Sequence, residues 1–399
     1  AVANGNSTTT VGGESVATGP GATAFGWQSG ANSERATALG HLAQADGIRS
    51  TAVGEAASAV GEQSVAVGNE SSATGIDAMA MGTQAIANGN STTTVGGESV
   101  ATGPGATAYG WRSAANAERS SALGHLAQAD GVRSTAVGEA ANAVGEQSVA
   151  IGNESSATGV DAMAIGTQAV ANGNSTTTVG GESVATGPGA TAYGWRSAAN
   201  AERSTALGHL ATANGLRSTA VGEAAQADGA RAVAIGDGAV AAHDDSVALG
   251  AGATTTRANQ VALGTSSSTY TMPGITSQAS RNAQSGPTQI VTSDANGNLA
   301  TDGGATFAAI ESLSTESDRA RRDIEENRRG IALAMAMKAP YVPTGKRFAL
   351  SVGGGYFESE EAAALSAALR ASESVQFEFA VGSARESTVG GRVGFTAAW

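Results

Sequence analysis

An apolar residue followed by glycine returns every fourteen residues along the first two thirds of this chain, and so strict a repeat leaves few folds open. Val11-Gly12, Phe25-Gly26, Leu39-Gly40, Val53-Gly54, Val67-Gly68 and Met81-Gly82 begin a series that runs without a slip to Leu263-Gly264. From Gly12 to Gly264 is 252 residues, or 18 steps of 14, hence 19 units. A second glycine often sits half a period away, as at Gly47, Gly61, Gly75, Gly131 and Gly145. Each unit is therefore read as two short extended pieces joined by two glycine-assisted corners, where the backbone takes φ > 0 or approaches its neighbour closely. A fixed short period marks a stacked solenoid in which each coil hydrogen-bonds to the coils before and after it. At a strand spacing of ~4.8 Å such a stack forms a rod on the order of 90 Å long.

A longer period of 84 residues, six coils, lies over the short one: "NGNSTTTVGGESVATGPGATA" recurs unchanged from Asn4, Asn88 and Asn172. The first residues are in phase with the repeats at Ala85 and Ala169, so the chain is expected to be trimmed and to continue upstream. Aromatics are only 4% of the 399 residues, while glycine supplies 56, so no broad globular interior is available. The inward positions are expected to be mainly Ala and Val. A roll that narrow is short of apolar burial, and lateral association of several rolls is expected to supply it. The absence of cysteine excludes disulfides, cysteine zinc sites and a cysteine nucleophile. A formal charge of -13 argues against a nucleic-acid partner, which needs clustered positive charge.

After the repeat, residues 265–304 break phase and carry turn signals, Met272-Pro273-Gly274, Ser285-Gly286-Pro287 and Asn296-Gly297-Asn298, as a β-rich neck would. Residues 305–340 then hold a helix-compatible run in which Ile310, Leu313, Ser317, Ala320, Ile324, Asn327, Ile331 and Ala334 follow a 3-4 spacing, a coiled-coil seam. Asn327 in that seam would trade stability for register. Residues 341–399 contain four alternating runs of about ten residues, the length of a transmembrane β-strand, each with an apolar and a small or polar face. Four strands cannot close a barrel, and an open edge in lipid leaves backbone groups unsatisfied. Two chains would give a pore filled by its own side chains; three give 12 strands with room for three helices. Gly353, Gly355, Gly390 and Gly394 would line that lumen and leave space for chain to pass.

The whole chain resembles a trimeric autotransporter adhesin. Units such as "SVAVGNESSATG" and "SVAIGNESSATG" resemble the YadA-like head, and "GIALAMAM", "GKRFALSVGGGYF" and "STVGGRVGFTAAW" resemble the YadA-like membrane anchor. The resemblance implies a left-handed parallel β-roll head over residues 1–264, a short trimeric coiled coil and a 12-stranded outer-membrane barrel, four strands per chain. It implies a homotrimer anchored in the outer membrane, with head and stalk on the surface of a Gram-negative cell. It also implies attachment to host matrix, host cells or other bacteria, including self-association, with the barrel exporting the passenger. Trp399 is similar to the terminal aromatic read by the barrel-assembly machinery, and Asn327 to a core residue that can hold an anion. No other cofactor and no metal is expected.

Candidate adhesive residues recur once per 84: Trp27, Trp111 beside Arg112, and Trp195 beside Arg196, the pairing favoured at binding hot spots. The alternative is that the preceding Phe25, Tyr109 and Tyr193 fill the roll while Trp packs over a corner or between subunits. His41, His125 and His209 recur in "LGHLA", but no carboxylate stands beside them as an orienting partner, so a β-helical enzyme lacks its acid-base pair. Asp77, Asp161 and Asp244-Asp245 lack the dense spacing of calcium loops. An ice- or surface-binding solenoid is the other alternative, suggested by Thr8-Thr9-Thr10 and its copies, which occur once in six coils.

Overall fold

The computed structural model describes residues 1–385 and 388–399, which form two compact units, Ala1–Tyr270 and Thr271–Trp399. In the first unit each coil contributes one three-residue strand and, in all but the last, one two-residue strand, as in Val65–Val67 and Ser72–Ala73. The three-residue strands stack into a parallel ladder of 19, and the two-residue strands into a second ladder of 18. Register advances by one coil at each step: Ala66 lies between Ala52 and Ala80. The backbone hydrogen bonds therefore run between coils, as in Thr51 N–H to Ser64 O at 2.9 Å and Gly54 N–H to Leu39 O at 2.8 Å.

Fourteen residues enclose room for little more than methyl and hydroxymethyl groups. In a typical coil Ser64, Ala66, Ser71 and Ala73 point inward and are buried. Valine, expected inward, lies outside: in a three-residue strand only the middle side chain faces the interior, and both flanking ones face away. Thr94 and Thr178 are the largest inward residues of the ladder, and each hydroxyl crosses the interior to a carbonyl, Ile86 O at 3.0 Å and Val170 O at 3.1 Å. The serine three residues past each corner glycine often closes that corner, as Ser71 Oγ does by donating to Gly68 O at 3.0 Å.

The two glycine columns serve different needs. Gly26 has φ +137°, and a Cβ there would fall on the carbonyl of Gly40 in the next coil. At Gly47 φ is unremarkable, but a Cβ would strike the carbonyl of Gly61, so only close approach requires glycine. The left-handed positions proper are filled by ordinary residues whose side chains point to solvent, such as Gln28 (φ 54°) and Arg49 (φ 60°).

In the second unit, the neck holds less β-structure than its turn signals suggest. A short helix α1 (Gln278–Ala283) is capped by Ser277, whose Oγ accepts from Ser280 N–H at 3.0 Å. One hairpin follows, β1 (Val291–Ser293) and β2 (Leu299–Thr301), whose turn is closed by Asp294 accepting from the Asn296 and Asn298 N–H groups. Helix α2 (Ala305–Ala336) spans 32 residues. Four antiparallel strands complete the chain: β3 (Phe348–Phe357), β4 (Glu360–Arg370), β5 (Val375–Ala384) and β6 (Thr388–Ala397). They form one open sheet in the order β3-β4-β5-β6. Phe348, Leu350, Val352, Leu365, Phe379 and Val393 project from one face; Ala332, Leu333 and Ala336 of α2, with Met337 just after it, pack on the other.

Candidate functional sites on the roll and in the anchor

Equivalent residues of successive coils stand in columns, and the column through Trp111 reads Gly97, Trp111, His125, Glu139. The indole covers Gly97, where a Cβ would come within 3.2 Å of Trp111 Cδ1. Its other face stacks on the His125 ring, with centroids 5.0 Å apart and planes 22° from parallel. His125 Nδ1 lies 3.4 Å from Glu139 Oε1. Trp27, His41 and Glu55 repeat this geometry at 4.9 and 3.4 Å, and Trp195, His209 and Glu223 at 5.0 and 3.2 Å.

The histidines therefore do have carboxylate partners. The signal in the sequence is a glutamate one full period after each histidine, not a neighbour along the chain. Arg112 lies over the Trp111 ring, 5.1 Å from its centroid, and reaches back to Glu98 at 3.4 Å; Arg196 does the same with Trp195 and Glu182 at 3.5 Å. In the first repeat Gln28 replaces arginine and donates to Glu14 Oε2 at 2.6 Å. Each of these tryptophans nevertheless stays 46–48% exposed. Phe25 and Tyr109 do not fill the roll; they are 54% and 58% exposed. They belong to an outward column, Val11, Phe25, Leu39, Val53 and onward to Leu263, that is apolar in every coil.

Beside it on the same face runs a threonine column. Thr9, Thr23, Thr37 and Thr51 stand in register, then Val65 and Met79 interrupt before Thr93 and Thr107 resume. Threonine thus recurs far more often than the Thr8-Thr9-Thr10 motif indicates. Among the described residues no group of three His, Cys, Asp or Glu is placed to hold a metal ion.

In the anchor, α2 has two faces. Towards its own sheet, a Cβ at Gly353 or Gly355 would strike the backbone of Ala336 or Ala332, and one at Gly390 would come 2.8 Å from Leu333 Cδ2. Gly394 is placed differently, with Glu378 Oε2 its nearest neighbour at 3.8 Å. Gly382, unremarked in the sequence, also packs on Leu333. The opposite face carries Ile310, Leu313, Ile324, Asn327 and Ile331, all exposed in the single chain. Trp399 is fully exposed beyond β6.

The anchor segment, residues 340–399, matches the model of the YadA-like membrane anchor domain, and segments from residue 3 to residue 267 match that of the YadA head domain repeat. Together they cover well over half of the chain. The chain belongs to the YadA-like trimeric autotransporter adhesins. Such an adhesin is anchored in the outer membrane by its C-terminal strands and exposes its head on the cell surface. No curated protein matches the chain. Among solved structures, the collagen-binding domain of Yersinia adhesin YadA is similar at 20% identity, over 64% of this chain and 87% of that one, with a TM-score of 0.18.

Proposed function

We propose that three copies of this chain form one non-enzymatic surface adhesin, attaching the cell to host matrix, to host cells or to other bacteria. The observation that carries the reading is the two-faced helix α2. It already covers the small-residue face of an open four-stranded sheet, and it leaves an Ile-lined seam with no partner in the single chain. A four-stranded sheet with free edges is not viable in lipid, and three copies solve both problems by closing a 12-stranded barrel around three helices. The apolar outward column of the head then supplies the lateral interface that an alanine-filled roll lacks.

In that trimer Asn327 would meet its two copies on the axis, where three amides suit an anion. Trp399 would be presented to the barrel-assembly machinery, and the tryptophan corners with Arg112 and Arg196 are the adhesive surface to test first. The threonine column favours the ice-binding alternative less, because it is interrupted and shares its face with the apolar column. Cells displaying the full chain should adhere to immobilised matrix protein or to one another, and protease shaving of the head should abolish this. Adhesion that survives complete shaving would defeat the reading.

A further inference from the structure

Where α2 meets the turn between β3 and β4, two consecutive arginines are fastened to two carboxylates. Arg328 Nε lies 2.6 Å from Glu358 Oε2, and Arg329 Nε donates to Glu360 Oε2 at 3.3 Å. The inner pair is enclosed, with side chains 15% and 11% exposed, beside a sheet face that is alanine and glycine where Ala332 and Ala336 pack on it. Glu360 begins β4 opposite Phe357, so its carboxylate is held by the ladder and projects on to the helix. Glu358 sits in the turn at φ 54°, a backbone region that glycine or asparagine enters more easily, so the contribution of glutamate there is its carboxylate.

The flanking sequence of α2 allows this arrangement in one register. One turn before Arg329 stands Glu325, with Glu326 beside it; one turn after stands Leu333. A slip of one turn in one direction sets Glu325 against Glu360, two like charges in an enclosed place. A slip in the other direction leaves Glu360 facing Leu333 with no cation. Either alternative strands a charge that the observed register pairs.

We infer that Arg328–Glu358 and Arg329–Glu360 are a register latch that fastens the seated helix to its own hairpin and keeps the barrel closed once export is complete. The inference rests on the export reading of the anchor. The pairs form only when α2 lies against the turn with Ala332 on Gly355 and Ala336 on Gly353, so the latch acts on the seated helix and has no part in moving the passenger.

The test uses the full chain in outer membranes, as Glu360→Gln, Arg329→Gln, the milder Arg329→Lys, and the exchange Arg329→Glu with Glu360→Arg. Three readouts are needed: protease accessibility of the head on intact cells, ion conductance of purified trimers in planar bilayers, and the temperature at which trimers dissociate. The expected result is normal head exposure for every variant, with conductance raised several-fold and dissociation lowered by roughly 5 °C in the two glutamine variants. Arg329→Lys should fall between, and the exchange should restore both properties in part, because Glu325, 4.0 Å from Arg329 in the unaltered chain, would then face a like charge. Glutamine variants with unaltered conductance and dissociation overturn the latch, as does an exchange that restores neither. Loss of head exposure in Glu360→Gln alone also overturns it, by placing the pair within export. A head that stays unexposed even in the unaltered chain would instead remove the export reading, and the latch with it.

Discussion

Trp111 and His125 stand fourteen residues apart and stack with ring centroids 5.0 Å apart, because one coil of the roll carries each to the same corner. The stack lies between Gly97 and Glu139, so four coils share one column of side chains. Aromatic pairs of this kind contribute about 1 kcal/mol each. Trp111→Ala should therefore lower the thermal stability of the head by only a few degrees and leave the trimer intact. If Trp111→Ala with Trp195→Ala also leaves adhesion at its original level, the corners are structural staples and not the adhesive surface.

Gly26→Ala should be far more damaging than any surface change. The residue has φ +137° and its added methyl would meet the carbonyl of Gly40, so both conformation and ladder spacing must give. A loss on the order of 3 kcal/mol is expected. Gly238→Ala is the control, since φ there is 60° and nothing lies within 4 Å of the added methyl. Circular-dichroism melting of the two variants separates close approach from conformational strain; equal melting would contradict the packing of Gly26.

Gly355→Val should prevent α2 from seating, because even a methyl at this position would strike the Ala332 carbonyl. Gly354→Val, on the same strand but with open space around it, should be tolerated. Surface labelling of the head on intact cells checks this: display lost in the first variant and kept in the second is the expected pattern. Normal display from Gly355→Val would mean that the helix does not need this strand.

Asp302 ties the start of α2 to the hairpin before it. Its carboxylate accepts from the N–H groups of Gly304, Thr306 and Ile290; the Thr306 hydroxyl first, and then these N–H groups, hold its pKa down from 3.8 to about 2. A carboxylate with a lowered folded pKa contributes stability that is fully present above about pH 4 and is lost as pH falls through about 2. Asp302→Asn should remove that part of the acid dependence and weaken the helix start at neutral pH. Amide hydrogen exchange at residues 304–308 between pH 4 and pH 7 checks the second effect: exchange as slow as in the unaltered chain would show that Asp302 does not cap the helix.

The coil length, the two ladders, the long helix and the four strands are legible from periodicity alone, since a 14-residue repeat and a two-residue alternation each map on to one backbone geometry. Which side of a three-residue strand faces inward is not, because Val65 and Val67 flank Ala66 symmetrically and the pattern fits either choice. Volume decides it, as alanine, and at most threonine, fits between the two ladders. The partners of His125 and Glu360 were equally hidden. Glu139 is one coil away and Arg329 is 31 residues away, so both contacts exist only once the backbone has brought the columns and the hairpin together.

The central claim is that three chains build one barrel and one stalk, which gives both the open sheet and the bare seam of α2 a partner. It is tested most directly by the molar mass of the protein extracted from outer membranes, measured by light scattering with the detergent contribution subtracted. A protein mass of three times 38.8 kDa is the expected result. A monomer that stays soluble without detergent would contradict the barrel, the seam and the adhesin built on them.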